Sequence, residues 1–300
     1  MAAALTDAVR AHAAAVCAQA RHVRIDEEAL LAVVPEPPAA PPTLDPEVHF
    51  LEGSELEVAT YLLGVDTINF GSGWFPTLAK RRRADGSTVS GATTIAWDLA
   101  DAFRADGAPD AAALRATRTP ELASRLGQRP DHELMALYAQ ALRQLGLWLG
   151  DRTALDVVAE AGASAVRLAG MLATGMAMWD DRGFFKRAQL AASDLALAGI
   201  ARFDDLHELT VFADNLVPHV LRCDGALHYD DALAAAIEAG ELLPAGGAEE
   251  EIRAAAVHAG ALLAAHLGIP EHELDHLLWN RGQGAPYKAR SRHRCRSIFY

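Results

Sequence analysis

Apolar side chains between residues 131 and 149 recur with the period of an α-helix. They lie at i, i+3, i+4 and i+7 spacing: Leu134, Leu137, Tyr138, Ala141, Leu142, Leu145 and Trp148. Asp131 precedes them and is a residue type that caps helix N-termini. The pattern predicts an amphipathic helix that begins after Asp131 and buries one face.

Similar patterns, several bounded by Gly or Pro, predict helices along most of the remaining chain. The predicted helices lie near residues 55–69, 111–116, 120–126, 154–178, 185–198, 230–239, 249–267 and 270–278. Alternating, strand-like runs are nearly absent, and glycine-rich breaks at 71–73, 86–91 and 246–247 predict loops. No repeat of fixed period occurs. The fold class predicted is therefore all-α, a single domain of many short helices.

Prolines between residues 35 and 46 (PEPPAAPPTLDP) interrupt this helical pattern. Proline removes a backbone donor and forces the preceding residue into extended geometry, so this stretch cannot be helical. The chain is predicted to divide into an N-terminal helical segment (1–34), a proline-rich connector (35–47) and a main body (48–300). Because the connector is short and semi-rigid, residues 1–34 are expected to pack on the body.

Composition and charge narrow the classes of function. Of the 300 residues, 51% are hydrophobic, which is enough for a real core and excludes a wholly disordered chain. The formal net charge of −13 repels polyanions and argues against a general nucleic-acid binder. Any nucleic-acid ligand is expected to be small or held locally.

The sequence also bears on the compartment. Cys17, Cys223 and Cys295 lack the close spacing of a disulfide framework or a zinc site. Charged residues interrupt the apolar N-terminus, and the longest apolar stretch, 168–179, falls well short of the roughly 20 residues of a membrane span. We expect a cytoplasmic protein without a membrane partner.

Residues 272–276 (HELDH) fit the H-E-x-x-H pattern, in which two histidines on one helix face hold zinc and Glu acts as general base. Pro270 places the segment in the first turn of its helix, Asp275 adds a charge that a buried zinc helix usually avoids, and no third ligand has the right spacing. Surface residues at the start of a helix are therefore favoured over a zinc site.

Two segments rich in aromatic residues each allow two interpretations. Residues 69–76 (NFGSGWFP) combine glycines that allow close backbone approach with Trp74 and Phe75, and form either a pocket loop or a turn pinned by core aromatics. Residues 184–189 (FFKRAQ) place Lys186 at a helix start, either partly buried against an anion or solvated on a helix rim.

Two further segments are equally open. In residues 212–218 (FADNLVP), Pro218 marks the first turn of a helix, so Asp214 lies just ahead of it and is either a cap or a catalytic carboxylate. Residues 288–296 carry five Lys or Arg side chains and no acid. This basic tail is either a phosphate clamp or a solvated segment.

Four ordered motifs together resemble the queuosine salvage protein family. They are residues 65–70 (VDTINF) with 74–76 (WFP), 184–189 (FFKRAQ), 210–218 (TVFADNLVP) and 292–300 (RHRCRSIFY). The resemblance runs from about Leu51 to Tyr300, which is most of the chain. It implies an α-helical domain related to helix-hairpin-helix DNA glycosylases. It also implies hydrolysis of the N-glycosidic bond of queuosine 5′-monophosphate, which releases queuine for reuse in tRNA modification without a metal or cofactor.

The resemblance also implies roles for individual residues. Asp214 aligns with the family's catalytic aspartate and Lys186 with its substrate-contacting lysine, while Asn69 and Trp74 match the Asn-Phe and Trp positions. Cleavage of an N-glycoside builds positive charge on the ribose, which a carboxylate beneath C1′ stabilises while it activates the attacking water. Asp214 is the residue expected to do this.

The substrate predicts further contacts. A 7-deazapurine has no N7 to protonate, so Lys186, Asn69 or Asp194 is expected to hydrogen-bond the departing base elsewhere. The flat base suits stacking on Trp74, Phe184 or Trp279. Arg294 or its neighbours are candidates for the 5′-phosphate clamp. His49 is a further candidate substrate-binding residue.

The expected partner is thus a small nucleotide, not intact nucleic acid, which would demand an extended positive surface. Two alternatives remain. One is a zinc hydrolase that uses His272, Glu273 and His276, and the other is a non-catalytic helical protein that binds queuine-like ligands in the same pocket.

Overall fold

The computed structural model of the protein describes residues 4–33 and 42–300, and these residues form an all-α fold with 15 α-helices. The helices are α1 (Leu5–Gln19), α2 (Glu27–Leu31), α3 (Glu55–Thr67), α4 (Gly91–Asp106), α5 (Ala111–Arg115), α6 (Thr119–Arg125), α7 (Glu133–Leu149), α8 (Ala154–Ala161), α9 (Ala165–Gly175), α10 (Lys186–Leu197), α11 (Val217–Cys223), α12 (Asp231–Glu238), α13 (Ala248–Leu267), α14 (Glu271–Arg281) and α15 (Ala285–Lys288). The predicted all-α class is confirmed.

Four short strands fasten distant parts of the chain to one another. Strand β1 (Val23–Ile25) pairs antiparallel with β2 (Leu227–Tyr229), and β3 (Leu242–Leu243) pairs parallel with β4 (Arg294–Cys295). The first pair holds the N-terminal segment against the body. The second holds the basic tail.

Local capping explains where the main helices begin. Ser54 and Glu57 form a reciprocal capping box at the start of α3. At α7 the cap is His132, whose ring nitrogen accepts from the Leu134 N–H, and not Asp131 as predicted. Asp131 instead pairs with Arg129 on the surface.

Two predicted features of the helices need correction. The segment 154–178 is not one helix, because Gly162 adopts a left-handed φ of 64° and Ser164 then caps α9 anew. Helix α4 was not predicted at all. It begins directly after the glycine-rich loop, where the Ser90 hydroxyl accepts from the Thr93 N–H.

The buried apolar side chains form one large core and a second core beside it. The large core is built mainly from α3, α7, α9 and α10. The second core is built from α11, α13 and α14. Helix α1 packs along α13, where it buries Val9 and Ala13. The segment before α11 joins the two cores, since Phe212 belongs to the large core and Val211 to the second.

The proline-rich connector predicted at 35–47 lies largely outside the described residues; of it, residues 42–47 are described and contain no helix. No single helix in the described ranges is long and apolar enough to cross a membrane. Helices α13 and α14 together reach that length and composition, but they are bent by 106° relative to each other.

Candidate active site

Lys186 is the first residue of α10, and the residue before it has an unusual backbone conformation. Phe185 has a φ of 49°, in the left-handed region that a bulky side chain rarely adopts. The carboxylate of Asp181 accepts from the Lys186 backbone N–H at 3.2 Å. The chain therefore enters α10 at a fixed angle. Lys186 is buried, with only 6% of its surface exposed.

Four aspartates interact electrostatically with the Lys186 ammonium. Asp66 comes from α3, Asp194 from α10, Asp275 from α14 and Asp214 from the segment before α11. The ammonium forms no hydrogen bond or ion pair with any described residue, so it interacts with these carboxyl groups through space. The two cores thus bring the buried Lys186 ammonium and four acids together at their junction.

Burial dominates the protonation of this cluster. It lowers the pKa of Lys186, although Asp214 and Asp66 act in the opposite direction. It raises the pKa of Asp194 and of Asp275 well above the usual range, because a carboxylate loses its hydration there. Burial therefore favours the protonated form of these two carboxyl groups, in which they can donate hydrogen bonds.

Asp66 is the most deeply buried acid, with 0% of the side chain exposed. Neither of its carboxyl oxygens has a hydrogen-bond partner of normal geometry among the described residues. Burial raises the pKa of Asp66, while Lys186 and the nearby Asn69 side chain lower it. The Asn69 side chain therefore lies close to Asp66, although α3 ends at Thr67.

Asp214 is partly exposed, unlike the other acids of the cluster. Its Oδ1 accepts from the backbone N–H groups of Leu216 and Val217, at 2.7 and 3.2 Å. These are the hydrogen bonds of a capping residue, yet they occupy one oxygen only. No described residue donates to Oδ2. A fixed carboxylate with one free oxygen is compatible with both alternatives considered for Asp214.

Arg253 of α13 links the segments that carry Lys186 and Asp214. Its guanidinium forms two hydrogen bonds with Asp181, at 3.0 and 2.6 Å, and a third with the Ala213 carbonyl at 2.9 Å. Burial alone would lower the pKa of Arg253, but Asp181 raises it overall. The guanidinium lies 4.1 Å from the ring centroid of Phe184 and 4.5 Å from that of Tyr300.

Two further side chains of the 184–189 motif hold the other motifs in place. The Gln189 amide donates to the Phe184 carbonyl and exchanges hydrogen bonds with Thr210. Arg187 donates to the carbonyls of Thr67 in α3, Met178 and Ile298. All four motifs singled out in the sequence therefore meet at α10.

In the HELDH segment Glu273 is exposed, but His272, Leu274 and Asp275 are buried, so the surface position predicted for the segment as a whole is wrong. His272 and Asp275 are both buried, and burial lowers the pKa of His272 to about 4. Asp275 Oδ1 accepts from the Phe212 N–H at 2.9 Å. His276 Nε2 lies 3.4 Å from the Ser193 hydroxyl. Helix α14 contributes to the cluster because it packs against α11 and α13, which the local pattern could not indicate.

In the described ranges, no group of three His, Cys, Asp or Glu side chains is arranged to hold a metal ion. Two cavities on the described surface, of about 510 and 400 Å³, lie away from the cluster. The first is lined by the end of α1 together with β1 and β2, and the second lies at the C-terminal end of α10.

The structure brings several predicted site residues together and leaves others apart. Lys186, Asp214, Asp194 and, through Asp66, Asn69 belong to one cluster. Phe184 lies next to the cluster, beneath Arg253.

The other predicted residues have contacts elsewhere. The Trp74 indole donates to Glu133 at 2.7 Å, and His49 interacts with the Asp45 carbonyl. Arg294 donates to the Gly240 carbonyl. Trp279 is 44% exposed.

Sequence reasoning missed Asp66, Asp275, Asp181 and Arg253. Asp66 lies inside the VDTINF motif, three residues before the candidate Asn69, and this closeness in sequence was a usable signal. Asp275 lies inside the HELDH segment that was assigned to the surface. For Asp181 and Arg253 the sequence carries no comparable signal, because their pairing depends on the packing of α13 against the start of α10.

Comparison with known proteins gives consistent matches. The profile of the family described as queuosine salvage protein matches residues 48–300. A protein of Sphaerobacter thermophilus named queuosine 5′-phosphate N-glycosylase/hydrolase is 36% identical over 309 aligned residues, covering 94% of each chain. Proteins of the same name from Dictyostelium discoideum and Mus musculus are 35% and 30% identical over 39% and 49% of this chain, which is 40% and 51% of their own lengths.

Proposed function

The chain belongs to the queuosine salvage protein family, and from this premise we propose that it hydrolyses the N-glycosidic bond of queuosine 5′-monophosphate and releases queuine. The name that the three relatives share supports this reaction. The structural observation that carries the proposal is the cluster of Lys186 with Asp214 and three buried aspartates at the meeting point of the four motifs.

Asp214 is the catalytic carboxylate in this proposal. The reaction develops positive charge on the ribose ring, and a carboxylate held beneath C1′ stabilises it. Because two backbone N–H groups hold Oδ1, the free Oδ2 has a defined position for this task and for orienting the attacking water. The cap hydrogen bonds thus support the catalytic role instead of competing with it.

The departing 7-deazapurine base needs hydrogen bonds at atoms other than N7. Lys186 can donate from its ammonium. Asp194 and Asp275, whose pKa values burial raises well above the usual range, can donate as neutral carboxyl groups. Asn69, next to Asp66, can orient the base through its amide. Each of these groups would disperse the negative charge that the base acquires as the bond breaks.

The remaining features of the proposal concern substrate size and setting. The net charge of −13 suits a small nucleotide better than intact tRNA. In this proposal, catalysis through Asp214 needs neither a metal nor a cofactor, and the protein has no membrane partner. A cytoplasmic location and a relation to helix-hairpin-helix DNA glycosylases belong to the same proposal.

Incubation of metal-stripped protein with queuosine 5′-monophosphate, followed by chromatography for queuine, tests the proposal. Release of queuine, with no guanine released from guanosine 5′-monophosphate in parallel, is the expected result. Binding of queuine without any release would instead favour the non-catalytic binding protein. Release that requires added zinc would favour the zinc hydrolase.

A further inference from the structure

The basic tail lies over the residues that follow Asp214. His219 of α11 donates from Nε2 to the Tyr287 carbonyl at 2.8 Å, and the Asn215 amide donates to the His293 carbonyl at 3.4 Å. Both tethers start from the segment directly after Asp214. The intervening residues 288–292 are therefore held close to the proposed catalytic carboxylate.

The arginines of this tail differ in what their guanidinium groups contact. Arg290 lies 3.9 Å from Glu238, Arg294 donates to the Gly240 carbonyl, and Arg296 pairs with Glu133 at 3.2 Å. Arg292 is only partly exposed, yet it forms no hydrogen bond, ion pair or ring contact with any described residue. Among the buried and half-buried arginines of residues 4–33 and 42–300, it alone has this property.

An unpartnered guanidinium in such a place is unfavourable unless an anion arrives. Burial lowers the pKa of Arg292, and the nearby Asp214 is the main group acting against this. A guanidinium presents several N–H donors in a planar fork that matches a phosphate group. Because a 5′-phosphate and the C1′ of one nucleotide belong to the same ribose, a phosphate site beside Asp214 is where the proposed reaction requires it.

We propose that Arg292, and not Arg294, binds the 5′-phosphate of the substrate and makes the enzyme select a nucleoside monophosphate over the free nucleoside. This inference rests on the proposed function for the identity of the substrate. It assigns the phosphate contact to the tail arginine whose donors have no partner among the residues that the structure describes.

The test compares Arg292→Met with wild type on queuosine 5′-monophosphate and on queuosine. Loss of a charge-assisted hydrogen-bonded pair is expected to lower kcat/KM for the nucleotide by roughly a hundredfold. For the nucleoside, kcat/KM is expected to change by less than about threefold. Arg290→Met is the matched control, since Arg290 is exposed and already faces Glu238, and it is expected to retain the nucleotide preference.

An equal fall in kcat/KM for both substrates would overturn the proposal, because Arg292 would then act on a part common to both or on the fold. An unchanged nucleotide preference in Arg292→Met would also overturn it.

A binding readout separates this inference from the proposed function. Ribose 5-phosphate is expected to raise the melting temperature of wild type and Arg290→Met but not of Arg292→Met. If wild-type protein cleaves neither substrate, the proposed function fails, and this melting shift alone decides the role of Arg292. Its loss in Arg292→Met then supports the phosphate site, and its persistence overturns it.

Discussion

Replacement of Arg253 by Met removes the side chain that joins the Lys186 and Asp214 segments. The change deletes two hydrogen bonds to Asp181 and one to the Ala213 carbonyl. Asp181, whose side chain is 5% exposed, is left as a buried charge without its partner. Breaking a buried ion pair in this way costs about 3–5 kcal/mol in the free energy of unfolding.

The free energy of unfolding of a domain is roughly 5–15 kcal/mol, so such a loss is a large part of it. The variant is therefore expected to fold at low temperature and to have a lower melting temperature than wild type. Urea unfolding followed by circular dichroism measures the difference. The double variant Asp181→Asn/Arg253→Met is expected to be about 1–3 kcal/mol more stable than Arg253→Met, because the uncompensated charge is gone.

Arg129→Met is the matched control, since Arg129 pairs with Asp131 on the surface with its side chain 81% exposed. Its stability is expected to stay within about 0.5 kcal/mol of wild type. A loss below about 1 kcal/mol in Arg253→Met, or a double variant less stable than the single one, would refute the structural role assigned to the Arg253–Asp181 pair.

Two further variants test the buried acid and the tail contact. Burial raises the pKa of Asp66 to about 7 in the folded protein, so its stability contribution is present below the unfolded pKa of about 4 and is lost as the pH rises toward 7. Asp66→Asn should therefore gain stability relative to wild type by up to about 1.4 kcal/mol per pH unit across this window, whereas parallel unfolding curves would contradict the assignment. In Gly73→Ala, a Cβ would lie 2.6 Å from the Cys295 carbonyl oxygen, and we expect a loss of about 1–3 kcal/mol. Gly170→Ala meets nothing within 4 Å and should be neutral or gain up to about 1 kcal/mol; equal melting temperatures for Gly73→Ala and wild type would exclude the tail contact.

Much of the fold could be predicted because its signals are local. The apolar period of α7 and the Gly or Pro boundaries of several other helices identified the all-α class, and four motifs identified the family, which the comparisons confirm. The exact helix ends were harder to predict, because more than one nearby residue could act as a cap. The N-cap of α7 is His132 and not Asp131, and Gly162 divides the predicted long helix into α8 and α9.

The site was less predictable because it depends on contacts between residues far apart in sequence. Lys186 and Asp214 could be named from their motifs, but the burial of Asp66 requires α3 and α10 to pack together. Asp275 was not identified because the residue types of the HELDH segment predicted an exposed position. Arg294 and Arg292 are two positions apart, and the sequence does not distinguish them. Only the structure shows that the Arg294 guanidinium already donates to the Gly240 carbonyl.

The most direct test of the central claim is the rate at which Asp214→Asn releases queuine from queuosine 5′-monophosphate. Asparagine can still accept the N–H groups of Leu216 and Val217, so the fold should survive, which a thermal melt checks. Asp110→Asn, a change at the exposed cap of α5, is the matched control. The account predicts a fall in kcat on the order of a thousandfold for Asp214→Asn and wild-type activity for Asp110→Asn. A folded Asp214→Asn protein that keeps more than about a tenth of the wild-type kcat would contradict it.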